Sequence, residues 1–170
     1  NRVNQSGRTI VAWNWLAGNA TRGTGDFTQG SIASTCTTNT TAGFSIAKWT
    51  GTGSAGTVGH GLGSVPDMMI VKNSTKSQGE SWLIYHFANT AAPETDFLLL
   101  NTTAATADND IVWNDTAPTS TVFSVKDDDS TNDSGETFVG YMFKDIPGYS
   151  KTGSFTGIGN ADGPFIHTGF

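Results

Sequence analysis

Paired carboxylates on neighbouring strands would be the first residues to expect in a sugar-cleaving enzyme. Two acids that face one cleft about 5 to 9.5 Å apart can cleave a glycosidic bond, one acting as acid and the other as base or nucleophile. The glutamates of this sequence are Glu80, Glu94 and Glu136, and each stands beside turn-forming residues. Because no strand-like run carries a pair of acids, we predict no hydrolase site.

Other catalytic patterns are either absent from the sequence or lack the structural context that they need. The Gly-x-Ser-x-Gly elbow of nucleophilic hydrolases does not occur in the sequence. Residues 51–56 do read Gly-x-Gly-x-x-Gly, but they follow a Trp-bearing strand and precede no helix, so they predict a loop and not a dinucleotide cradle. His60, His86 and His167 show no metal-ligand spacing. We therefore predict that the chain is not an enzyme.

An acidic run at residues 126–136 concentrates oxygen ligands of the kind that a hard cation prefers. Calcium takes six to eight oxygens from carboxylates and carbonyls. The run does not have the spacing of an EF-hand loop, and a solvated hairpin between two strands is the competing interpretation. If calcium binds, its predicted ligands are Asp127, Asp129 and Asp133; no other cofactor is predicted.

Aromatic rings beside amides and carboxylates could bind a glycan. Sugars stack their apolar faces on exposed rings while polar side chains take the hydroxyl groups. The competing interpretation is that aromatic residues in strands belong to the core. The predicted glycan-binding residues are Trp113, Asn114, Asp115, Trp82 and Tyr85.

Composition limits the fold and the partners of this chain. Of 170 residues 21 are Gly and only 14% are charged, which suits strands and turns better than amphipathic helices. The formal net charge is −6 and the basic residues are scattered, so we expect no nucleic-acid partner. No apolar run approaches the roughly 20 residues of a membrane helix, so we expect no membrane insertion. The single cysteine, Cys36, has no partner in the chain for a disulfide.

Alternating and β-branched runs predict short strands separated by Gly, Asn, Asp and Pro clusters, which is typical of an antiparallel β-sandwich. No segment carries a sustained helical period. The predicted strands are residues 9–15, 44–50, 67–73, 81–87, 96–101, 111–114, 122–125, 137–143 and 150–156.

Two sequence patterns occur twice in the same order. Residues 7–15 match residues 135–143 as Gly, charge, Thr, apolar, Val, small, aromatic, any, aromatic. Residues 43–53 are likewise answered by residues 148–159, and His60 by His167, which predicts a shared structural role such as a turn hydrogen bond. Ordered recurrence of this kind indicates internal repetition.

The repetition divides the chain into three parts. We expect residues 1–18 to be the terminal strand of a preceding repeat and residues 148–170 to open the next one. Residues 19–147 then form the complete sandwich repeat, with a polar, loop-rich insert or short hairpin at residues 19–42. The hypothesis that follows is that a repeat completes its sheet with a terminal strand of its neighbour or of another subunit.

Motifs spread over nearly the whole chain carry a family resemblance. They are residues 11–15, 42–46, 49–53, 58–62, 69–72, 113–123 and 148–165. In combination these motifs resemble the repeated domains of large marine phage and metagenomic surface proteins, described as concanavalin A-like or tail-fibre-like. The resemblance implies a jelly-roll sandwich of the concanavalin A-like lectin type, in tandem, and it brings no active site.

The resemblance and the repetition together lead to one functional expectation. We expect a virion structural protein on the surface or an appendage of a bacteriophage, such as a tail fibre, with other copies as partners and host-surface glycan as ligand. The alternative is a carbohydrate-binding, lectin-like module of an extracellular or cell-surface filament protein.

Overall fold

A computed structural model of the chain describes residues 6–10, 12–18, 21–23, 27–76 and 80–169. Short strands account for most of the regular structure in this part of the chain, and one four-residue helix accompanies them. The elements are β1 (Thr21–Arg22), β2 (Ser34–Asn39), β3 (Phe44–Thr50), β4 (Gly56–Gly59), β5 (Met68–Asn73), β6 (Leu83–His86), β7 (Asp96–Leu99), β8 (Ala107–Asp108), α1 (Asp110–Trp113), β9 (Val122–Val125) and β10 (Thr137–Phe143).

The strands form two antiparallel layers. The large sheet has the order β1-β2-β3-β10-β5-β6-β7-β8, and β4 pairs with β9 in a small second sheet. The predicted all-β, antiparallel β-sandwich is therefore confirmed. None of the helices in the described residues is long and apolar enough to span a membrane.

The last strand in the chain, β10, lies at the centre of the large sheet. It pairs with β3 over its whole length, from Thr137 opposite Thr50 to Phe143 opposite Phe44, and with β5 on its other side. Gly140 at its midpoint leaves room for the ring of Trp49, from which a Cβ at this position would lie only 3.2 Å away. Residues 138–143 are apolar on both faces, a pattern typical of a strand whose two faces are both covered.

The core lies between the inner face of the large sheet and the small sheet. Alternation along β5 and β10 buries every second side chain, including Met69 and Phe138. The Trp49 ring stacks on Phe138 at 5.6 Å and meets Phe123 of β9 edge-on at 5.5 Å, so it joins the two sheets. Burial of such aromatic rings supplies much of the free energy that holds a sandwich together.

Residues 111–114 were predicted as a strand, but residues 111–113 belong to α1 and Asn114 is its C-cap. The side chain of Asn109 accepts a hydrogen bond from the N–H of Ile111, which caps the first turn. Asn114 and Asp115 then adopt positive φ values of 53° and 42°, which ends the helix. The apolar run was too short to reveal its period, and the cap decided its structure.

The predicted strands at residues 9–15 and 150–156 are also absent from the described part of the chain. Residues 12–18 run without strand pairing, and Ser150 forms only an isolated bridge with Ile146. In the predicted loop-rich insert the structure places β1, which pairs with β2, and β2 pairs in turn with β3 in the large sheet. The centre of the sheet is taken by β10, and in the described residues neither terminal segment of the same chain adds a strand to it.

Candidate groove on the outer face of the large sheet

The outer face of the large sheet, which points away from β4 and β9, carries apolar side chains where a solvated face would carry polar ones. Alternation places Phe44 and Ile46 of β3 there, together with Tyr141 and Phe143 of β10. A groove of about 900 Å³ opens on this face. Its lining residues are Trp13, Asn14, Trp15, Phe44, Ile46, Met68, Ile70, Trp82, Leu100, Tyr141 and Phe143.

Residues 12–18 lie along one side of this groove. The Trp15 ring contacts Phe44 and Phe143, with centroid distances of 6.0 and 5.6 Å. The carbonyl of Leu16 accepts a hydrogen bond of 3.2 Å from Asn39, which holds the segment near β2. Trp13 remains 78% exposed, so its ring is available to a ligand or to another chain.

Of the predicted glycan-binding residues, Trp82 is the one that lines the groove. Its backbone N–H donates to the Asn101 side chain at 3.0 Å, which fixes the segment just before β6. The side chain is only half-buried. A half-buried indole on a concave apolar surface is suited to stack on an apolar or sugar ring.

Trp113 and Tyr85 do not form the exposed platform that was predicted. Both are core side chains, 1% and 4% exposed, and their rings meet edge-on at 6.3 Å. The Trp113 Nε1–H donates to the carbonyl of Asp96 at 3.1 Å, so its polar atom is satisfied internally. Because successive side chains of a strand point to opposite faces, Tyr85 lies inside the sandwich.

Asn114 and Asp115 end the helix α1, which carries Trp113 into the core. Trp82, by contrast, lines the groove on the outer face of the sheet. The large sheet thus separates Trp82 from the other four predicted residues, and the predicted glycan site is not brought together.

Two carboxylates of the acidic run at residues 126–136 lie close to the ammonium group of one lysine. The Lys76 ammonium lies 2.7 Å from a carboxylate oxygen of Asp133 and 3.4 Å from one of Asp129. The hydrogen bond to Lys76 holds the pKa of Asp133 below its ordinary value. The ammonium group occupies the position between these two carboxylates that a cation would need.

The third predicted calcium ligand, Asp127, is exposed beside Lys126. In the described residues no group of three or more His, Cys, Asp or Glu side chains is placed to hold a metal ion. The geometry therefore gives no support to calcium at Asp127, Asp129 and Asp133. It does not give the competing hairpin either, because the flanking strands β9 and β10 lie in different sheets; the run is a connection between the sheets that ion pairs hold.

His60 has a structural role. Its ring is fully buried, Nδ1 accepts a 3.2 Å hydrogen bond from the N–H of Leu62, and Nε2 lies 3.1 Å from the carbonyl of Thr119. The bond from Leu62 requires an unprotonated Nδ1, so Nε2 carries the proton and donates to Thr119. Burial lowers the pKa of His60, and the bond to Thr119 opposes this only in part.

The groove itself was not predicted from the sequence. Its signal was present in β5 and β10, where apolar residues occupy both faces of the strand. Such a pattern fits a strand whose two faces are both covered, and it does not show which of the two faces is left without a covering layer.

Fold and groove together define an antiparallel β-sandwich module with an open apolar face. The whole chain, residues 1–170, matches the family model described as a domain of unknown function (DUF7483), and the chain therefore belongs to that family. Comparison with curated proteins and with solved structures gives no match.

Proposed function

We propose that this chain is a structural module of a repetitive appendage on a virion surface, such as a bacteriophage tail fibre, and that it contributes to attachment to the host surface. The observation that carries the proposal is the pair of exposed terminal segments. Residues 7–15 repeat the pattern of β10, and residues 148–159 repeat that of β3 and the turn after it. Neither terminal segment forms a strand in the described residues.

Two further features support this proposal. Modules that stack in series need surfaces for their neighbours, and the outer face of the large sheet offers an apolar one. Exposed apolar side chains continue into the C-terminal part, where Phe165 is 93% exposed. A module that worked alone would gain nothing from exposing such side chains to water.

Immunogold electron microscopy of the source material tests the proposed location. An antibody raised against this chain should label tails, fibres or other appendages of virus particles at regular intervals. Label confined to cell envelopes or extracellular filaments would overturn the virion assignment.

The groove favours a second candidate function, carbohydrate binding by a lectin-like module of an extracellular or cell-surface filament protein. Its wall carries the indoles of Trp13, Trp15 and Trp82, which suit sugar rings. Isothermal titration with a panel of oligosaccharides, on the wild type and on Trp82→Ala, distinguishes the two functions. Binding heat that is seen in the wild type and abolished by Trp82→Ala supports the lectin-like function. The absence of binding heat with every sugar supports the structural module.

A further inference from the structure

The central strand pair of the sandwich provides a template for contacts between copies. In this pair β10 and β3 run antiparallel, with Phe143 opposite Phe44 at one end and Phe138 opposite Trp49 near the other. Alternation puts Phe44 and Phe143 on the outer face, and Trp49 and Phe138 in the core. Two aromatic pairs, which we call the anchors, therefore mark the register of β3 and β10. They are Phe44 with Phe143 on the outer face and Trp49 with Phe138 on the inner face.

Both strands of this template recur outside the sandwich. The N-terminal segment (residues 8–10 and 12–15) has Ile10 and Trp15 where β10 has Phe138 and Phe143. The C-terminal segment (residues 148–159) has Tyr149 and Phe155 where β3 has Phe44 and Trp49. Each of these four side chains is at least half exposed, with Ile10 at 50% and Phe155 at 65%.

We propose that the N-terminal segment of one copy pairs antiparallel with the C-terminal segment of a second copy, in the register of β10 and β3. Trp15 then lies opposite the second copy's Tyr149, and Ile10 opposite its Phe155. Backbone hydrogen bonds supply the affinity and the two aromatic anchors fix the register. The proposal rests on the proposed function, because it supplies the contact by which modules would join.

The residues between the anchors fit such a pair with one adjustment. The C-terminal segment has one residue more between its anchors than β3 has. A one-residue slip would turn Phe155 to the wrong face, so the pairing requires a β-bulge between residues 150 and 154, where Gly153 is available.

The small residue at the middle of the template also has its counterpart. Gly140 leaves room for the Trp49 ring, and the N-terminal segment has Ala12 at this position. The ring opposite the N-terminal segment is Phe155, which is smaller than Trp49. The extra methyl group of Ala12 is thus matched by a smaller neighbour.

The occupant is a second copy because the two segments do not pair within one chain. Trp15 and Tyr149 line the same small hollow, yet neither terminal segment forms a strand in the described residues. A two-stranded ribbon alone is marginal in water, and the contacts of Trp15 with Phe44 and Phe143 give it a surface to lie on. Head-to-tail pairing leaves one segment of each copy free for the next copy, so it builds a linear array unless the rotation between copies closes a ring.

Disulfide crosslinking between two single-cysteine variants tests the pairing. Full-length Ile10→Cys and Phe155→Cys are mixed and oxidised, with buried Cys36 as an unreactive background. We expect about tenfold more crosslinked dimer than from the control mixture of Ala105→Cys with Phe155→Cys, because pairing raises the effective thiol concentration. Dimer at the control level, or a bond formed within single chains of the double variant Ile10→Cys/Phe155→Cys, would overturn the proposal.

Charge complementation gives a second readout that needs no oxidation. Ile10→Lys and Phe155→Glu place opposite charges at facing positions of two different copies. Neither residue belongs to the core, so both variants should fold. Sedimentation velocity should find each variant monomeric and their equimolar mixture associated; an unassociated mixture contradicts the pairing. That failure would leave the immunogold result intact, so it is distinguishable from a failure of the proposed function.

Discussion

His60 joins the turn after β4 to the segment before β9 and makes folding sensitive to pH. Because burial lowers its pKa in the folded state, the unfolded chain takes up the proton first as pH falls below the ordinary value of about 6.5. The His60 contribution is therefore complete above that pH and is lost as pH falls towards the folded-state pKa. The slope is at most about 1.4 kcal/mol per pH unit for one proton.

Urea unfolding at pH 7.5 and pH 5.5 measures this effect. His60→Gln should lower stability at pH 7.5, because Leu62 N–H loses its acceptor, and it should flatten the change between the two pH values. The matched control is His167→Gln, whose ring is exposed, and it should unfold as the wild type does. Equal pH dependence in wild type and His60→Gln would contradict the assignment.

Trp113 and Trp82 should respond to substitution in opposite ways. Trp113→Phe removes the hydrogen bond to Asp96 and part of a buried ring, so we expect a loss of about 2 kcal/mol in the free energy of unfolding. Trp82→Phe should stay within about 0.5 kcal/mol of wild type, since the ring is only half-buried. Denaturant unfolding of both variants measures these losses. Equal losses in the free energy of unfolding would contradict the placement of Trp113 in the core and of Trp82 in the groove.

Residue types alone could not separate these two tryptophans. Both stand in short apolar runs, and the difference comes from the Asn109 cap, which folds one run into a helix that carries Trp113 inward. The acidic run suggested a hairpin, but β9 and β10 on either side of it lie in different sheets, so it connects the sheets. Its ion pair with Lys76 joins residues about 50 positions apart, as the Ser130 to Glu80 hydrogen bond also does. Distances of that kind depend on the tertiary fold.

At the scale of elements, the segment between β9 and β10 depends on Asn132. Its buried amide donates to the carbonyls of Ser54 and Lys126, and its carbonyl oxygen accepts a 3.0 Å hydrogen bond from the N–H of Thr52. Asn132→Ala leaves these buried groups without partners, so we expect a loss of about 2 to 4 kcal/mol.

Thermal and urea unfolding measure the cost of Asn132→Ala. Ser134→Ala, an exposed position in the same segment, is the control and should change stability by less than about 0.5 kcal/mol. A cost for Asn132→Ala no larger than that of the control would show that the amide network does not hold this segment.

Strands that bury alternate side chains were predictable, and those with polar or Gly-rich sequences were not. The ranges predicted for β3, β9 and β10 agree with the structure at both ends. β2 consists largely of Thr and other polar residues, and β4 begins and ends with Gly, so neither carries an apolar alternation. Both form because the core strand β3 and the buried Phe123 offer them partners.

At the scale of the whole molecule, the C-terminal part beyond Thr152 should be dispensable for folding. No residue of 153–169 belongs to the buried core. A chain that ends at Thr152 should therefore keep its free energy of unfolding within about 0.5 kcal/mol. A larger loss would mean that this part stabilises its own sandwich and is not held for a neighbour.

A second truncation provides the matched comparison. Ending the chain at residue 147 also removes Ser150 and Thr152, and Thr152 donates two hydrogen bonds of 2.7 Å to Asp145. This shorter chain should lose about 1 to 2 kcal/mol, because the bonds to the carboxylate disappear. The contrast measures how much residues 148–152 contribute to the stability of the sandwich that precedes them.

The proposed tandem organisation was suggested by the sequence repetition, whereas the position of the terminal segments needed the structure. Residues 8–15 have the composition of a strand, yet the place that such a strand would take is already filled by β10. Local sequence does not tell whether a strand pairs in its own module or in the next one. Which of the two pairings forms depends on the contacts between neighbouring modules.

Hydrogen–deuterium exchange with mass spectrometry tests the central claim most directly, namely that the terminal segments are strands of neighbouring modules. Peptides covering residues 8–15 and 153–159 are compared in the dilute isolated chain and in the assembly purified from its source. We predict rapid exchange in the isolated chain and strong protection in the assembly, with β3 and β10 protected in both. Equally rapid exchange of the terminal segments in the assembly would contradict the account.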